Sequence, residues 1–584
     1  MKKRIAIIHK DKCNPAKCNW LCIKLCPMNR LEKECIIKTL DNKVAIDELL
    51  CTGCNICKRC PLEAIEIINL PEALTKPPIH RYGENQFQLF SLPTPQNNHI
   101  TGLLGRNGIG KSTAFQILTQ QIQPNLGNYN SPPDFPEIIQ HFKGTETQKL
   151  LENLRDNKIS LSYKPQQVDL IPKQFQGTVK QLLEKVDHHH QLPTIAKNLQ
   201  LENFLNTSIT KISGGELQRV AIAATVLKPA NLYLFDELTS FLDIKQRLNT
   251  AKFIRTLINK DTAVSVIEHD LVALDYMADS INLMYGQPAC YGVISGLKTA
   301  KKGINVFLEG YLKEENIRFR SHSIKFEITA PAKTTKKDIL ISWTKIKKKL
   351  GNFNLNIEEG SIFQNEIIGV LGENGIGKTS FIKILAGLIK PDQGKTDKKI
   401  KVAYKPQHIF TDSDELVADF LKEAVQNFNQ QLITPLNLTS FLTSKLSQLS
   451  GGELQRVFIA KCLSQDCELV LMDEPSAYLD VEQRISLFKI VSDLIAARNI
   501  SVVVVDHDLV FLDSLSERLL VFAGEPAKEG TCCGPFTMEE GMNSFLKELN
   551  ITLRRDEENH RPRVNKLNSV KDREQKQRGK FYYS

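Results

Sequence analysis

Gly105-Arg-Asn-Gly-Ile-Gly110-Lys111-Ser112 recurs as Gly372-Glu-Asn-Gly-Ile-Gly377-Lys378-Thr379, and both copies fit the pattern GxxxxGK[ST]. In this pattern, backbone N–H groups and the lysine surround phosphate groups, while the Ser or Thr hydroxyl binds Mg²⁺. Apolar runs flank each loop, at 99–104 and 113–118 in the first copy and at 366–371 and 380–385 in the second. The sequence therefore predicts a strand, a phosphate loop and a helix twice over.

Further motifs recur in the same order in both halves. They are Tyr163-Lys-Pro-Gln166 and Tyr404-Lys-Pro-Gln407, Ser213-Gly-Gly-Glu-Leu-Gln-Arg219 and Ser450-Gly-Gly-Glu-Leu-Gln-Arg456, Tyr233-Leu-Phe-Asp236-Glu237 and Val470-Leu-Met-Asp473-Glu474, and His269-Asp-Leu and His507-Asp-Leu. Each acidic pair ends an apolar run, which predicts a buried strand presenting one carboxylate to Mg²⁺ and the next to a water molecule. A lone histidine is more often a satisfied core residue. Because both histidines are in register with the other motifs, we interpret them as functional.

These motifs resemble those of ABC-type ATPases, which the Ser-Gly-Gly motif distinguishes from other phosphate-loop enzymes. The resemblance implies an α/β fold with two such domains in tandem, arranged head to tail, so that each nucleotide lies between the halves. Site one would join Lys111, Ser112, Gln166, Asp236, Glu237 and His269 to Ser450 and Gly452. Site two would join Lys378, Thr379, Gln407, Asp473, Glu474 and His507 to Ser213 and Gly215. The other nucleotide-binding candidates are Gly105, Asn107, Gly108, Gly110, Thr113, Gly372, Asn374, Gly375, Gly377 and Ser380.

Charge assigns roles within each site. The two loop lysines neutralise the β- and γ-phosphates, the two aspartates act through the metal, and Glu237 and Glu474 polarise the attacking water. The resemblance implies that His269 and His507 sense the γ-phosphate. Tyr82 and Trp343 are candidates to stack on the adenine rings, with ordinary core aromatics as the alternative.

One position breaks the repeat. Leu238 follows the first catalytic glutamate, whereas Pro475 follows the second. Without a fixed φ, the first turn is expected to be looser, and the two sites to turn over at unequal rates.

Composition restricts the class of protein. The 584 residues carry 76 Lys+Arg and 66 Asp+Glu, a net charge of +10, with 41% hydrophobic residues. This is typical of a multidomain globular protein, and no apolar run is long enough for a membrane span or a secretory signal. We therefore expect an intracellular protein. Nine of the 14 cysteines lie in the first 60 residues, and in a reducing compartment such crowding indicates metal or cluster ligands rather than disulfides.

The cysteine-rich segment resembles two-cluster bacterial ferredoxins, because two four-cysteine runs each end in Cys-Pro. The resemblance implies crossed ligation of two [4Fe-4S] clusters, and a ferredoxin-like fold. One cluster would use Cys13, Cys18, Cys22 and Cys60, and the other Cys51, Cys54, Cys57 and Cys26. Cys35 is left out, and Cys60 follows an unusually short spacing. A pair of zinc ribbons is the alternative.

Three segments lie outside the repeat. The first half has 26 extra residues between its phosphate loop and Gln166. The segment of about 132–158 is predicted to form a helix-loop-helix on the surface. It either contacts a partner or is an insertion without a function of its own. The joining segment of about 286–331 is too patterned for a free linker. The tail 551–584 carries ten Lys+Arg against five Asp+Glu, including Arg554, Arg555, Arg561, Arg563 and Lys566. It predicts phosphate contact or a solvated tail.

Together with Asn316-Ile-Arg-Phe-Arg320 and the Arg561-Pro-Arg-Val-Asn-Lys-Leu-Asn-Ser569 stretch, these features resemble the ABC-E family, also called RNase L inhibitors. The resemblance implies an ATP-dependent factor that splits ribosomal subunits after termination or rescue, with ATP, Mg²⁺ and two [4Fe-4S] clusters as cofactors. Implied partners are the small ribosomal subunit with its rRNA and a release factor or its rescue paralogue, while initiation factors and roles in initiation and ribosome biogenesis stay open. It further implies a cytoplasmic monomer that contacts no membrane, with a nuclear location left open.

Two other classes remain as alternatives. One is an electron-transfer protein in which ATP gates the clusters, and the other is the ATPase subunit of a transporter, which gives no reason for clusters. We expect five regions: a ferredoxin-like domain at 1–72, a first ATPase domain at 73–288, a hinge segment at 289–331, a second ATPase domain at 332–550 and a hinge arm at 551–584.

Overall fold

The computed structural model describes residues 4–39, 41–48, 50–69, 77–320, 322–324, 326, 338–397, 399–409 and 411–583. The expected boundaries near 72 and 331 lie outside these residues. Within the described part of the chain, none of the helices combines the length and apolar character needed to cross a bilayer.

The N-terminal domain is small and consists of two antiparallel strand pairs with short helices between them. Its strands are β1 (Arg4–Ile8), β2 (Ile36–Lys38), β3 (Val44–Ile46) and β4 (Ile65–Asn69), and its helices are α1 (Pro15–Cys18), α2 (Leu21–Leu25) and α3 (Pro27–Arg30). Six of the nine cysteines belong to its small buried core, and a seventh, Cys60, packs against that core.

The first cassette has an eight-stranded sheet in the order β5-β6-β12-β11-β7-β10-β9-β8. The strands are β5 (His80–Arg81), β6 (Gln88–Leu89), β7 (Ile100–Gly105), β8 (Leu161–Lys164), β9 (Leu232–Asp236), β10 (Ala263–Ile267), β11 (Ser280–Gln287) and β12 (Tyr291–Thr299). The helices are α4 (Lys111–Leu118), α5 (Phe135–His141), α6 (Glu146–Arg155), α7 (Ile171–Gln174), α8 (Val179–Glu184), α9 (Leu192–Asn198), α10 (Gly214–Val226), α11 (Ile244–Arg255), α12 (Leu271–Met277) and α13 (Ala300–Glu309).

The hinge segment carries a short hairpin, β13 (Tyr311–Leu312) and β14 (Ile317–Arg318). The expected boundary at 288 is too early, because β12 pairs with β11 inside the first sheet and α13 packs on that sheet. Residues 289–309 thus complete the first cassette, and the hinge begins after them.

The second cassette repeats the sheet order as β16-β17-β24-β23-β19-β22-β21-β20, and β15 pairs with β18 beside it. The strands are β15 (Ile339–Trp343), β16 (Ile346–Leu350), β17 (Phe353–Ile357), β18 (Gly360–Phe363), β19 (Ile367–Leu371), β20 (Val402–Lys405), β21 (Leu469–Asp473), β22 (Ser501–Val505), β23 (Arg518–Glu525) and β24 (Glu529–Thr537). The helices are α14 (Lys378–Leu385), α15 (Val417–Phe420), α16 (Lys422–Asn427), α17 (Gly451–Ser464), α18 (Val481–Arg498), α19 (Leu509–Leu515) and α20 (Met538–Glu548).

The tail forms β25 (Leu553–Arg555), β26 (Pro562–Val564) and α21 (Val570–Gln577). The largest apolar core includes residues of both cassettes together with Leu553, Val564 and Phe581 of the tail. The tail is therefore an integral part of the packing between the cassettes rather than a solvated arm.

Candidate functional site

The site residues converge because they follow parallel strands. In the first sheet β10 lies between β7 and β9, with Ile267 opposite both Leu103 and Asp236. The carboxyl ends of parallel strands meet at one edge of a sheet, so the phosphate loop, the acidic pair and His269 come together there. The second sheet repeats this arrangement, with Val505 opposite both Val370 and Asp473.

Each phosphate loop is held by its own lysine. Lys111 Nζ donates to the carbonyl oxygens of Gly105 at 2.9 Å and Arg106 at 2.7 Å, and Lys378 Nζ donates to Gly372 at 2.9 Å and Glu373 at 2.6 Å. The lysines are thus aimed into the loops where phosphate oxygens would be bound. Burial lowers the pKa of Lys111 to about 8.

The residues expected to hold the metal are already in contact. Ser112 Oγ donates to Asp236 at 2.7 Å, and Thr379 Oγ1 donates to Asp473 at 2.7 Å. Burial raises the pKa of Asp236 to about 6 and also raises the pKa of Asp473. A hydroxyl and a buried carboxylate form the oxygen donor set that suits Mg²⁺ beside a phosphate.

Both catalytic candidates adopt the same unusual backbone. Glu237 has φ +54° and Glu474 has φ +47°, in the left-handed region. Gln166 Nε2 donates to Glu237 and Gln407 Nε2 donates to Glu474, each at 2.5 Å. The two turns therefore share one backbone conformation at the glutamate, and the looser first turn expected from Leu238 stays a prediction.

Residues that the sequence analysis did not assign hold these turns. Lys164 Nζ donates to the carbonyl oxygens of Asp236 at 2.8 Å and Glu237 at 2.7 Å, and Lys405 makes the equivalent contacts in the second half. In the first half, the backbone N–H of Thr239, two residues after Glu237, donates to the buried carboxylate of Glu268 at 3.1 Å. The YKPQ repeat contained the signal for both lysines.

Both histidines are buried, but the surroundings of their ring nitrogens differ. In the described residues, neither ring nitrogen of His269 has a hydrogen-bond partner, whereas His507 Nε2 lies 3.5 Å from Glu474 Oε1. Burial lowers the pKa of His269 well below its usual value, so this ring is neutral and can accept or donate one hydrogen bond. Buried polar atoms without partners are costly, and a phosphate oxygen at this edge would accept a hydrogen bond from the ring N–H.

The Ser-Gly-Gly motifs begin helices. Ser213 caps α10 and donates to Glu216 at 2.8 Å, and Ser450 caps α17 and donates to Glu453 at 2.8 Å. The N-terminus of such a helix attracts anions.

The two cassettes touch at both sites. The backbone N–H of Asn107 donates to Asp480 at 3.0 Å, and that of Asn374 donates to Asp243 at 3.1 Å. In both sites, therefore, the asparagine of the phosphate loop is hydrogen-bonded to an aspartate of the opposite cassette.

The cavities at the two sites differ. A cavity of about 460 Å³ joins Ser213 and Gly215 to Lys378, Thr379 and Glu474, as expected for site two. At site one, a cavity of about 470 Å³ is lined by Tyr82, Phe87, Lys111, Ser112, Asp236 and other first-half residues. Of the described residues, neither Ser450 nor Gly452 lines that second cavity.

The aromatic candidates have different outcomes. Tyr82 lines the site-one cavity, and its hydroxyl lies 3.1 Å from Thr113 Oγ1. Trp343 was wrongly predicted to stack on a base: it is 3% exposed, packs edge-on against Phe381 and donates to the Glu358 carbonyl. Instead, Phe353 lines the site-two cavity. Phe87 and Phe353 both begin a Phe-x-Leu sequence, a repeat that could have identified them.

The N-terminal thiols form two groups. Burial raises the pKa of Cys22 to about 11, and Cys18, Cys60 and Cys13 raise it further. Burial likewise raises the pKa of Cys57 to about 12, together with Cys51, Cys54 and Cys26. The groups match the crossed ligand sets, and eight thiols in two such groups fit iron–sulfur clusters. Among the described residues, no group of three or more His, Cys, Asp or Glu side chains is arranged to hold a single metal ion.

Cys35 has an unexpected position. It lines the same cavity as Cys26, Cys51, Cys54 and Cys57, so it borders the second group although it was assigned to neither. Its pKa is raised to about 12, chiefly by burial.

The tail was expected either to contact phosphate or to be solvated, but three of its arginines instead pair with carboxylates of the two cassettes. Arg561 is fully buried, and Arg563 Nε lies 2.6 Å from Asp275 on α12. Arg555 pairs with Asp513 on α19 at 3.5 Å. These cations therefore fasten the tail to both cassettes, because each faces a carboxylate of one of them.

The N-terminal domain rests on the first cassette. Asn85 accepts from the Ile46 N–H at 2.8 Å and donates to its carbonyl at 3.0 Å. Arg81 pairs with Glu48 at 3.1 Å, and Gln287 donates to Glu66 at 2.8 Å. The hairpin that carries Tyr82 thus also carries two of these contacts with the cysteine-rich domain, through Arg81 and Asn85.

Comparison with known proteins agrees with this geometry. Residues 93–240 and 352–477 match the ABC transporter family model, and residues 4–34 match a model described as a possible Fer4-like domain in RNase L inhibitor. An ABC transporter ATP-binding protein of Methanocaldococcus jannaschii is 47% identical over 99% of this chain and 97% of its own length. Translation initiation factor RLI1 of Saccharomyces cerevisiae is 41% identical over 99% and 98%.

A solved structure described as a model of ribosome-bound archaeal Pelota and ABCE1 has TM-score 0.95 and 45% identity, covering 100% of this chain and 99% of that one. A complex of archaeal ribosomal stalk protein aP1 with archaeal recycling factor aABCE1 has TM-score 0.82 and 46% identity, covering 87% and 99%. Fold and sites thus define a protein with two ABC-type ATP-binding domains and an N-terminal Fer4-like iron–sulfur domain. The chain belongs to the ABC-E, or RNase L inhibitor, family.

Proposed function

We propose that this chain is a ribosome-recycling factor that uses ATP binding and hydrolysis to split ribosomal subunits after termination or rescue. The observation that carries the proposal is the whole-chain likeness to ribosome-bound archaeal ABCE1, at TM-score 0.95. Roles in initiation and ribosome biogenesis belong to the same proposal, since several relatives are named translation initiation factors. We place the protein in the cytoplasm as a monomer.

The chemistry follows from the side chains at each sheet edge. Lys111 and Lys378 bind the β- and γ-phosphates, and Asp236 and Asp473 hold Mg²⁺ together with the loop hydroxyls. Bound Mg²⁺ neutralises charge on the phosphate oxygens. Glu237 and Glu474 orient the attacking water, and His269 and His507 contact the γ-phosphate through a ring nitrogen. Two [4Fe-4S] clusters on the crossed cysteine sets stabilise a domain too small to fold on apolar burial alone.

Partners follow from the family. We propose contacts with the small ribosomal subunit and its rRNA, and with a release factor or its rescue paralogue. Two insertion helices, α5 and α6, bury Ile138 and Leu151 against the first cassette and leave His141, Lys143 and Lys149 exposed. These exposed side chains are available to the small subunit.

Sedimentation of ribosomes tests the function. With a non-hydrolysable ATP analogue, the protein should co-sediment with small subunits, and with ATP and a release factor it should convert whole ribosomes to subunits. Lys111→Ala/Lys378→Ala is the control, because it removes both phosphate-binding lysines. Splitting that persists in this control, or no co-sedimentation of the unaltered protein, would contradict the proposal.

The insertion is tested separately from the chemistry. Lys143→Glu/Lys149→Glu should weaken small-subunit binding and ribosome-stimulated ATPase, while basal ATPase stays unchanged, since neither lysine lies in a composite site. Lys197→Glu, an exposed helix position outside the insertion, is the matched control. Unchanged binding would mean that the insertion is not the docking surface.

Iron content tests the clusters. Cys18→Ser and Cys54→Ser should each lose iron, visible absorbance and splitting, while ATP binding persists. Cys35→Ser should keep its iron. If Cys60→Ser also keeps full iron, the crossed ligation is wrong.

A further inference from the structure

An ion-pair network links the hinge to the rim of site one. Arg106 belongs to the first phosphate loop, and its Nε lies 3.1 Å from Oε2 of Glu482, which is in the first turn of α18. The other carboxylate oxygen, Oε1, accepts from Arg320 Nε at 3.0 Å. One carboxylate thus joins the first cassette, the second cassette and the hinge.

Arg320 is fixed in the hinge before it reaches Glu482. Its side chain is 6% exposed, and its guanidinium donates to the carbonyls of Phe307 at 2.8 Å and Leu308 at 3.2 Å. The guanidinium also lies 5.0 Å from the centre of the Phe307 ring. Gly310, at φ +75°, makes room for it, because a Cβ there would lie 2.6 Å from Arg320 Cβ. A buried charge held this firmly needs its counterion.

Site two carries the same positions with reversed charges. Glu373 occupies the phosphate-loop position of Arg106, and it pairs with Lys245 of α11 at 2.6 Å. Lys245 corresponds to Glu482, because both lie two residues after the capping aspartate. Glu548 lies close enough to feel both charges of this pair: partial burial and Glu373 raise its pKa, while Lys245 lowers it. Glu548 is exposed, and among the described residues it forms no ion pair.

We propose that Arg320 is a positioning residue of site one. Acting through Glu482, it holds Arg106 and the first phosphate loop against the second cassette, so nucleotide leaves site one more slowly than it would without the hinge contact. The pair at site two acts without a buried hinge partner. This inference rests on the proposed binding of ATP at both sites.

Retention of labelled ATP at each site provides the test. Glu237→Gln traps ATP at site one and Glu474→Gln traps it at site two, and release is followed after dilution into unlabelled ATP. Adding Arg320→Gln should speed release from site one about tenfold and change release from site two less than twofold. Arg320→Lys should give an intermediate rate, since it keeps the charge but loses the fork. Adding Glu482→Gln to Arg320→Gln should have little further effect.

Exchanging charges provides the matched control. Glu373→Lys/Lys245→Glu exchanges the two charges at site two. This double variant should release ATP from site two at the rate of the unaltered protein, because the third charged group there, Glu548, is exposed. Arg106→Glu/Glu482→Lys gives site one the same charge arrangement as site two, with the acid in the phosphate loop and the base in the helix. This double variant should release ATP from site one faster than the unaltered protein does, because it places a positive charge at position 482 against the buried guanidinium of Arg320.

Three results would overturn the inference: equal effects of Arg320→Gln on both sites, full restoration by the exchange at site one, or additive effects of Arg320→Gln and Glu482→Gln. A fall in the melting temperature with equal loss at both sites would mean that Arg320 is merely structural. If neither trapping variant retains ATP, the proposed ATP sites fail rather than the role of Arg320.

Discussion

Sites one and two share their chemistry but not their surroundings. The hydroxyl-to-aspartate contact is 2.7 Å in both, and the glutamine-to-glutamate contact is 2.5 Å in both. Around the glutamates, however, Ser240 donates to Glu237 at 2.8 Å, whereas alanine occupies the equivalent position 477. His507 instead lies 3.5 Å from Glu474. The two halves therefore share the residues that face phosphate, while the residues behind them differ.

That difference surrounds the two carboxylates with different donors. Burial acts to raise the pKa of Glu474, but the close contact with His507 and the charges of Lys378 and Lys405 lower it to about 2. At site one, the Ser240 hydroxyl is the added donor. The motifs alone would present the two sites as equivalent, and the contacts show that they are not.

The largest effect is expected from removing the catalytic carboxylates. Glu237→Gln and Glu474→Gln should each lower turnover at the altered site by about 100-fold or more and leave ATP binding intact, because an amide keeps the shape but does not orient water. Steady-state ATPase and ATP retention measure this. The two substitutions should differ in size, since the carboxylates have different partners, and equal losses within error would break the comparison.

A change of pH should affect site one next most strongly. The pKa of Asp236 is raised to about 6, so the group takes up a proton as the pH falls through 6 and then cannot hold Mg²⁺. Affinity for Mg–ATP at site one should fall about tenfold between pH 7 and pH 5. Equilibrium binding with site two disabled by Lys378→Ala measures it, and a flat profile would contradict the expectation. Asp236→Asn should abolish the dependence.

Aromatic substitutions should separate the two adenine positions. Tyr82→Ala should weaken nucleotide binding at site one, and Phe353→Ala at site two, each by about fivefold, because a stacking face is lost. Trp343→Phe should lower the melting temperature without changing nucleotide affinity at either site, since Trp343 is buried in the core. A change in affinity with Trp343→Phe would restore it as a stacking residue.

The smallest effect is expected from exchanging the residues at positions 240 and 477, which differ between the two sites. Ser240→Ala removes a donor from Glu237 and should raise turnover at site one two- to threefold, because the carboxylate oxygen that accepted from the hydroxyl becomes available to the attacking water. Ala477→Ser should lower turnover at site two by a similar factor. Each is measured with the other site disabled. Shifts in the opposite directions would mean that the hydroxyl helps to orient the water.

Sequence reasoning located the phosphate-binding edge of each sheet because phosphate binding demands specific residues in a specific order. The strands and helices around Gly105 and Gly372 follow their apolar runs closely, and the 132–158 segment contains the two helices α5 and α6. The approach failed where tertiary packing decides. Trp343 is as aromatic as Tyr82, but only the fold shows that its ring lies inside the core.

The tail was difficult to interpret for a related reason. A basic composition suggests exposed cations, and nothing local reveals that these cations pair with Asp275 and Asp513, which are far away in the sequence. The hinge boundary at 288 likewise depends on pairing of β12 with β11. Such long-range partners cannot be inferred from one sequence without an observed contact.

The packing of the tail also bears on how the molecule comes to be assembled. Strand β26 packs against both α12 and α19, and Arg561 is buried against the carbonyl of Leu271 and the carboxylate of Asp275. During synthesis, both cassettes emerge before these residues do, and domains generally fold as they emerge. The contacts by which the tail joins both cassettes can therefore form only after the two cassettes and the tail have all been translated.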